Sequence, residues 1–452
     1  MFSELLQPDL RLMLMENDDY GLKEFCVALY PAVAAEVLHG LEPADVWRVL
    51  KSCELERQAE IFEFIDPPQQ LELVDNIERE HLSKLIEVMS ADDRVDLLGR
   101  MDEDHVERLL PLIAKAEREE IRKMLSYREN SAGSIMTTEY ASLPEEITVR
   151  EALDRLRQQA PDSETIYYIY ITDAGRTLHG VITLRQLILS KPGLQLADLM
   201  RRGVVAVKVD DDAEEVARQL ALFDLIAIPV VDEENRLVGI ITHDDILDFV
   251  QEEANEDAYR QSAIEPLEAG YLDTPVVTMA KKRGVWLLLL AAVGFITAKV
   301  NEGFEGVSSR HDWLSWFLPL VLASGGNTGS QSATLVIRAI TVDPSSKKQK
   351  ARIAGHELLT GLMLASAMAA FSFLAVNLLF GRNMQEAMVV AGTIGLVVTM
   401  GTLLGSALPL IFDRMGMDPA LMSNPLISSL SDIFGVVIYY STAILLLEML
   451  LK

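Results

Sequence analysis

Three stretches of the chain, residues 313–337, 358–381 and 387–412, contain no charged side chain. A hydrocarbon core about 30 Å thick is crossed by about 20 apolar helical residues, so each stretch is long enough to span a bilayer. Two further candidates flank them. Residues 284–298 are short, but Lys299 can extend its amine to the interface and Asn301 can sit there. Residues 419–447 are uncharged except for Asp432. Five spans put the two ends of this region on opposite sides of the membrane, and an excess of Lys/Arg marks the cytosolic side. Lys281, Lys282, Arg283, Arg338, Lys347, Lys348, Lys350, Arg352 and Arg414 fall on one side, against Lys299, Arg310, Arg382 and Lys452 on the other. The expected topology is multi-pass in a bacterial cytoplasmic (inner) membrane, with the first 280 residues in the cytosol and the C-terminus outside. No apolar h-region follows Met1, so no cleavable signal peptide is expected.

Charge separates the same two regions. Of 40 Lys/Arg and 68 Asp/Glu, 13 and 10 fall in residues 281–452, leaving 27 and 58 in residues 1–280. A polyacid of that kind excludes nucleic acid as a partner, because phosphate neutralisation needs clustered Lys/Arg. It points to cations. Cys26 and Cys53 are the only cysteines, so neither a disulfide framework nor a Cys-based zinc site is available.

Within the acidic region two patterns follow one another. Leu41, Cys53, Ile65, Ile77, Met89 and Met101 are spaced by twelve, and an apolar pair follows each at eight and nine positions, from Val49/Leu50 to Leu109/Leu110. Twelve residues suit one short helix and a turn; Pro43, Pro67 and Ser90 with Asp92 fall at helix starts. The expected module is a solenoid-like stack of short helices. From about residue 131, β and α alternate. IYYIYIT (166–172) and HGVITLRQLI (179–188) read as strands leading into a helix, and the unit recurs over residues 225–250, where the DEEN turn signals a hairpin.

Chemistry concentrates at few positions. A carboxylate within a span costs at least ~2.5 kcal/mol and normally faces a pore or a partner, so Asp432 stands out. On a helix Asn424, Ser428, Ser431 and Asp432 share one narrow face, a polar stripe ending in an acid. The stretch Leu322–Ile340 carries Gly325, Gly326 and Gly329, which weaken a helix; irregular backbone at membrane depth survives beside a cavity, where freed carbonyls can take up ions. Asn327, Thr328, Ser330 and Gln331 add neutral oxygens. A small-residue packing face is the alternative, and the adjoining Asn and Gln favour the pore. Two chains on a two-fold axis supply two carboxylates, which suits Mg²⁺, an ion that keeps much of its water. No His or Cys stands near this stripe, which disfavours a soft-metal site. His356-Glu357 has Thr360 where a metalloprotease needs its second His, so the pair reads as a helix end at the cytosolic interface. No P-loop is present, and no enzymatic activity is expected.

The cytosolic acids include Glu60, Asp92, Asp93 and Asp96 in the helical stack, and Asp210–Asp212, Glu214, Glu215, Asp224, Asp244, Asp245, Asp248, Glu252, Glu253, Glu256 and Asp257 further on. Like charges hold modules apart until divalent ions bridge them.

The segments 131–157 and 198–221, with the strands that follow, resemble a tandem pair of CBS domains. In that family a G-x-x-T-x-x-D element binds adenine nucleotides. Gly239, Thr242 and Asp245 match it, whereas the first half has Gly180 and Thr183 with Gln186 at the acidic position. Together with YLDTPVVTMAKKR (271–283), GGNTGSQSATLVIR (325–338) and MDPALMSNPLISSLSDIFG (417–435), the chain resembles the bacterial MgtE family of magnesium channels over nearly its whole length. The resemblance implies a multidomain fold: an all-α superhelical N-terminal domain (1–130), two α/β CBS domains (131–196 and 197–257), a connecting plug helix (258–283) and an α-helical transmembrane bundle of five spans (284–452). It implies a homodimer selective for Mg²⁺ and closed by cytosolic Mg²⁺, with an adenine nucleotide at the CBS pair. Asp432 becomes the selectivity acid, and Asn424, Gly325, Gly326 and Asn327 line the path. Asp92 or Asp93, Asp96, Asp224, Asp245, Asp248, Glu253, Glu256 and Asp257 become sensing acids, with Glu60, Asp244 and Glu252 beside them. Two other readings stay open: a membrane receptor whose CBS pair reads adenylates, and a transporter of Co²⁺, Ni²⁺ or Mn²⁺.

Overall fold

The computed structural model describes residues 2–160, 163–267, 270–272, 274–342 and 347–449. Contacts divide the chain into two compact units, residues 1–252 and 253–452.

The first unit opens with ten short helices: α1 (Phe2–Glu16), α2 (Asp19–Ala28), α3 (Pro31–Leu38), α4 (Pro43–Leu50), α5 (Leu55–Glu63), α6 (Pro67–Val74), α7 (Arg79–Val88), α8 (Ala91–Arg100), α9 (Glu103–Leu109) and α10 (Lys115–Met124). Prolines open α3, α4 and α6, where a missing N–H costs nothing and φ is already helical. The twelve-residue spacing gives each turn-plus-helix the same buried positions: Cys53, Ile65, Ile77 and Met89 lie in one core with the pairs Ile61/Phe62, Leu73/Val74, Leu85/Ile86 and Leu97/Leu98. Helices two apart pack together, α1 on α3, α3 on α5 and α5 on α7, and likewise α2 on α4, α4 on α6, α6 on α8 and α8 on α10. The module is therefore two layers of helices around one apolar seam, a superhelical stack.

Two similar α/β halves follow. In the first, β1 (Tyr140–Leu143) runs parallel to β2 (Thr165–Thr172), which pairs antiparallel with β3 (Leu178–Thr183); α11 (Val149–Gln159), α12 (Leu184–Leu189) and α13 (Leu196–Leu199) accompany them. In the second, β4 (Val207–Lys208), β5 (Ala227–Val231) and β6 (Leu237–Thr242) repeat that order, with α14 (Ala213–Leu222) and α15 (His243–Gln261). The halves exchange their leading segments. Ala132 and Met136 belong to the core of the second half, whereas Leu196 and Met200 belong to that of the first. A Cβ on Gly239 would lie 2.6 Å from the Met136 sulfur, and one on Gly180 would lie 2.7 Å from that of Met200, so both glycines are needed for the crossing strands to pass.

The connecting segment 258–283 is not one helix. α15 runs on from the second half to Gln261, residue 263 turns with φ +56°, and the next helix, α16 (Val276–Glu302), starts after Pro275. Pro266 and Pro275 lack the N–H a continuous helix requires. After the short α17 (Glu305–Ser308) come α18 (Leu314–Val342), α19 (Lys347–Phe380), α20 (Met384–Arg414) and α21 (Asn424–Ala443). Among the described residues four helices, α16, α19, α20 and the one starting at Asn424, are long and apolar enough to cross a membrane. α18 is long enough at 29 residues, but its polar centre, Gly325–Ser332, leaves it outside that apolar set. α20 is the hub, packed against α18, α19 and α21, while α16 has no buried residue.

Candidate ion pathway and acidic cluster

The glycines of α18 work differently from the expectation. α18 is unbroken from Leu314 to Val342, so no carbonyl is freed at Gly325–Gly329. The missing side chains instead bring helices into contact: a Cβ on Gly401 of α20 would stand 2.5 Å from the Gly325 carbonyl oxygen, and one on Gly325 would stand 2.6 Å from Val397. The packing reading holds for these glycines. Gly326 lies directly under the Ser428 hydroxyl of α21, and Asn327 on α18 is exposed. Ser330 Oγ donates to the Asn424 carbonyl at 3.2 Å, and the Asn424 amide donates to Thr334 Oγ1 at 3.3 Å. The Gly-Gly-Asn segment and the polar stripe of α21 therefore face one another. Asp432 continues that stripe half-buried, and no described residue hydrogen-bonds it or pairs with it.

At the near end of this unit, Arg260 in the last turn of α15 donates to Asp418 at 2.5 Å and pairs with Glu256. Asp418 also accepts from Ala420 N at 2.8 Å, capping the turn that leads into α21. Burial pushes the Asp257 carboxyl above its ordinary range, with the Asp418 charge adding to it.

In the first unit the structure assembles acids that are far apart in sequence. Asp92, Asp93 and Asp96 on α8 share one electrostatic neighbourhood with Glu63, Glu139, Glu164, Asp244, Asp245 and Glu252. Burial first, and neighbouring carboxylates second, push Asp92 and Asp93 up to about 6 and Glu63, Glu164 and Asp245 up to about 7. Asp96 is raised by the same causes, although Arg100, 3.6 Å away, pulls against them. Hydrogen bonds organise rather than neutralise the cluster: Ser90 N–H donates to Glu63 at 2.8 Å, Ser90 Oγ to Asp93 at 2.8 Å, and Thr242 Oγ1 to Asp245. Among the described residues no three His, Cys, Asp or Glu groups stand close enough to hold a bare metal ion.

The expected sensing acids divide accordingly. Asp92, Asp93, Asp96, Asp244, Asp245 and Glu252 come together. Glu60 is paired with Arg57 at 2.5 Å, Asp248 is exposed, and Asp224 lies in a different cleft. Glu253, Glu256 and Asp257 belong to the second unit. Glu63, Glu139 and Glu164 were not expected; Glu63 ends α5, Glu139 and Glu164 immediately precede β1 and β2, and no local spacing links them to α8.

The cleft holding Asp224 is a cavity of about 290 Å³ lined by Tyr168, Tyr170, Thr183, Gln186, Arg201 and Phe223 among others. Tyr170 is 1% exposed and its hydroxyl has no partner among the described residues. Thr183 and Gln186, the first-half counterparts of Thr242 and Asp245, line this cavity, whereas the expected nucleotide residue Asp245 sits in the acidic cluster.

Residues 318–442 match the family model of MgtE, a divalent cation transporter; 29–130 match the MgtE intracellular N domain, and 132–192 and 196–252 the CBS domain. A magnesium transporter MgtE of Thermus thermophilus is 42% identical over 332 residues, 73% of this chain and 73% of that one. The chain belongs to the MgtE family. MgtE of Bacillus subtilis is 35% identical over 73% of this chain and 72% of its own. Two crystal structures resemble the cytosolic modules. The soluble part of a magnesium transporter has a TM-score of 0.53 at 31% identity, covering 56% of this chain and 99% of that one. The cytosolic domain of the Mg²⁺ channel MgtE in complex with ATP has 0.52 at 38% identity, covering 54% and 100%. As a member of the MgtE family with several apolar helices, the protein is a multi-pass membrane transporter.

Proposed function

We propose that the protein moves Mg²⁺ into the cell along α18 and α21, as a homodimeric channel in the bacterial cytoplasmic membrane, and closes as cytosolic Mg²⁺ rises. The observation that carries the reading is Asp432, a carboxylate without a partner among the described residues, on the polar stripe of α21. A lone acid at that depth is stable beside a hydrated cation path and costly anywhere else. Its relatives in Thermus, Enterococcus and Bacillus are named magnesium transporters. α16, apolar and without a buried residue, supports a second copy or lipid on that face.

Closure follows from the acidic cluster. Carboxylates held up to about 7 repel one another when ionised, and a hydrated divalent cation among Asp92, Asp93, Glu164 and Asp245 supplies the missing positive charge. α15 then carries the change of the second CBS half to Arg260 and Asp418, next to the start of α21. The 290 Å³ cleft takes an adenine nucleotide: Tyr170 offers an unsatisfied hydroxyl donor, Thr183 and Gln186 polar groups, and Arg201 a cation for phosphate. The N-terminus then lies in the cytosol and the C-terminus outside.

The test is Mg²⁺ flux into liposomes carrying the full-length protein, with Mg²⁺ on the N-domain side varied. Flux that disappears in Asp432→Ala and falls as that Mg²⁺ rises supports the reading. Unchanged flux in folded Asp432→Ala removes Asp432 from the path.

A further inference from the structure

Glu357 has no part in the conduction or closure proposed above, yet it is a carboxylate inside α19, not at its end as the sequence pattern implies. Its partner explains its position. Ser332 of α18, 3% exposed, donates its hydroxyl hydrogen to Glu357 Oε2 at 2.6 Å, with the Thr402 carbonyl of α20 as a longer second acceptor at 3.2 Å. Three helices thus meet at one hydroxyl. Ser330 and Thr334, two residues either side of Ser332, lie on the opposite face of α18 and are the residues that bond Asn424. α18 is consequently held by α19 and α20 on one face and by the first residue of α21 on the other.

Such a pin is needed because of how α18 meets α20. Gly325 and Gly401 bring the two backbones together, and with Val397 the side chain seated on Gly325, a face built of small residues has few side chains to interlock and fix rotation or axial register. Polar side chains that hydrogen-bond between membrane helices supply that information. We infer that Glu357 is a positioning residue of the ion path: through Ser332 it fixes the register of α18, and with it the seating of Gly326 against Ser428 and of Ser330 and Thr334 against Asn424, on the stripe that Asp432 continues. The inference rests on the reading that α18 and α21 line the path.

The experiment uses full-length protein in liposomes, reading Mg²⁺ flux and the preference for Mg²⁺ over Na⁺. Glu357→Gln keeps an oxygen that accepts from Ser332 but removes the charge; Glu357→Leu and Ser332→Ala each remove the bond. Loss of one hydrogen bond to a charged group corresponds to roughly a ten-fold effect. Glu357→Leu and Ser332→Ala are each expected to lower flux and preference by about that factor, the double variant is no worse than either single one, and Glu357→Gln restores both. A Gln variant as impaired as the Leu variant overturns the inference in favour of the charge itself, and multiplying effects of the two single variants overturn the shared bond. Where Glu357→Leu fails to fold, Ser332→Ala against Glu357→Gln carries the comparison, and normal flux and preference in Ser332→Ala refute the pin. Asp432→Ala is run alongside. If it still conducts, the path reading falls and this inference with it; if it is silent while Ser332→Ala is normal, only the positioning role falls.

Discussion

Glu63 offers the sharpest test of the acidic cluster, because replacing it with Gln removes a charge and leaves its hydrogen bond. Its Oε1 accepts from Ser90 N at 2.8 Å, and an amide oxygen can do the same. Burial, with Asp93, Asp92 and Glu164 adding their charge, pushes the carboxyl up from 4.5 to about 7. The folded state therefore binds this proton more tightly than the unfolded chain does, so ionised Glu63 destabilises the fold. That deficit is complete above pH 7, shrinks as pH falls, and is absent below pH 4.5. At about 1.36 kcal/mol per pH unit it amounts to about 3 kcal/mol. Glu63→Gln is expected to raise the melting temperature of residues 1–252 by about 6–12 °C above pH 7 without Mg²⁺, and by little below pH 4.5. Mg²⁺ should stabilise the native protein more than the variant. Thermal unfolding followed by circular dichroism at both pH values, with and without Mg²⁺, measures all four quantities. An equal gain at both pH values assigns the effect to packing, and a loss above pH 7 refutes the electrostatic argument.

Three other outcomes are expected. Arg260→Gln leaves Glu256, Asp257 and Asp418 without their fixed cation, so in liposome flux the Mg²⁺ concentration needed for closure rises several-fold; an unmoved closure curve counts against the clamp. Tyr170→Phe removes a buried hydroxyl with no partner among the described residues, which stabilises the nucleotide-free protein by about 1 kcal/mol while weakening ATP binding measured by calorimetry. If both change in the same direction, the cleft does not hold the nucleotide. Gly401→Ala sets a methyl group against the Gly325 carbonyl and costs about 1–3 kcal/mol in detergent unfolding, whereas Gly294→Ala in α16, with nothing within 4 Å, is neutral.

The helical stack was legible because its repeat is enforced by packing: every twelve residues the same positions must be apolar, and the buried pairs from Val49/Leu50 onward obey this. The alternation of the CBS halves was legible for the same reason, since their strands need long apolar runs. The glycines of α18 were misread. A glycine-rich stretch in a span serves open backbone and close packing equally well, and only the positions of Val397 and Gly401 on another helix decide between them. The span expected over residues 313–337 is a helix, but Gly325–Ser332 dilute its apolarity, which length and absence of charge did not register. Glu63, Glu139 and Glu164 were invisible because an acidic cluster drawn from the end of α5 and the segments leading into β1 and β2 leaves no periodic trace. The nucleotide motif hid a second neighbourhood for a related reason: Asp245 matches it, and its carboxyl also feels Asp92 and Asp93 on α8, about 150 residues earlier in a chain of 452.

The exchange of leading segments between the CBS halves has a practical side. A designer who cuts this chain at the apparent repeat boundary and grafts residues 197–257 elsewhere removes Ala132 and Met136 from beneath β6 and leaves Gly239 facing a hole. The module that can be moved is the pair from residue 131 onward, and a biosensor built from it should carry both halves or neither. In amide exchange the two sheets should open as one unit, since neither can unfold without stripping the other of part of its core.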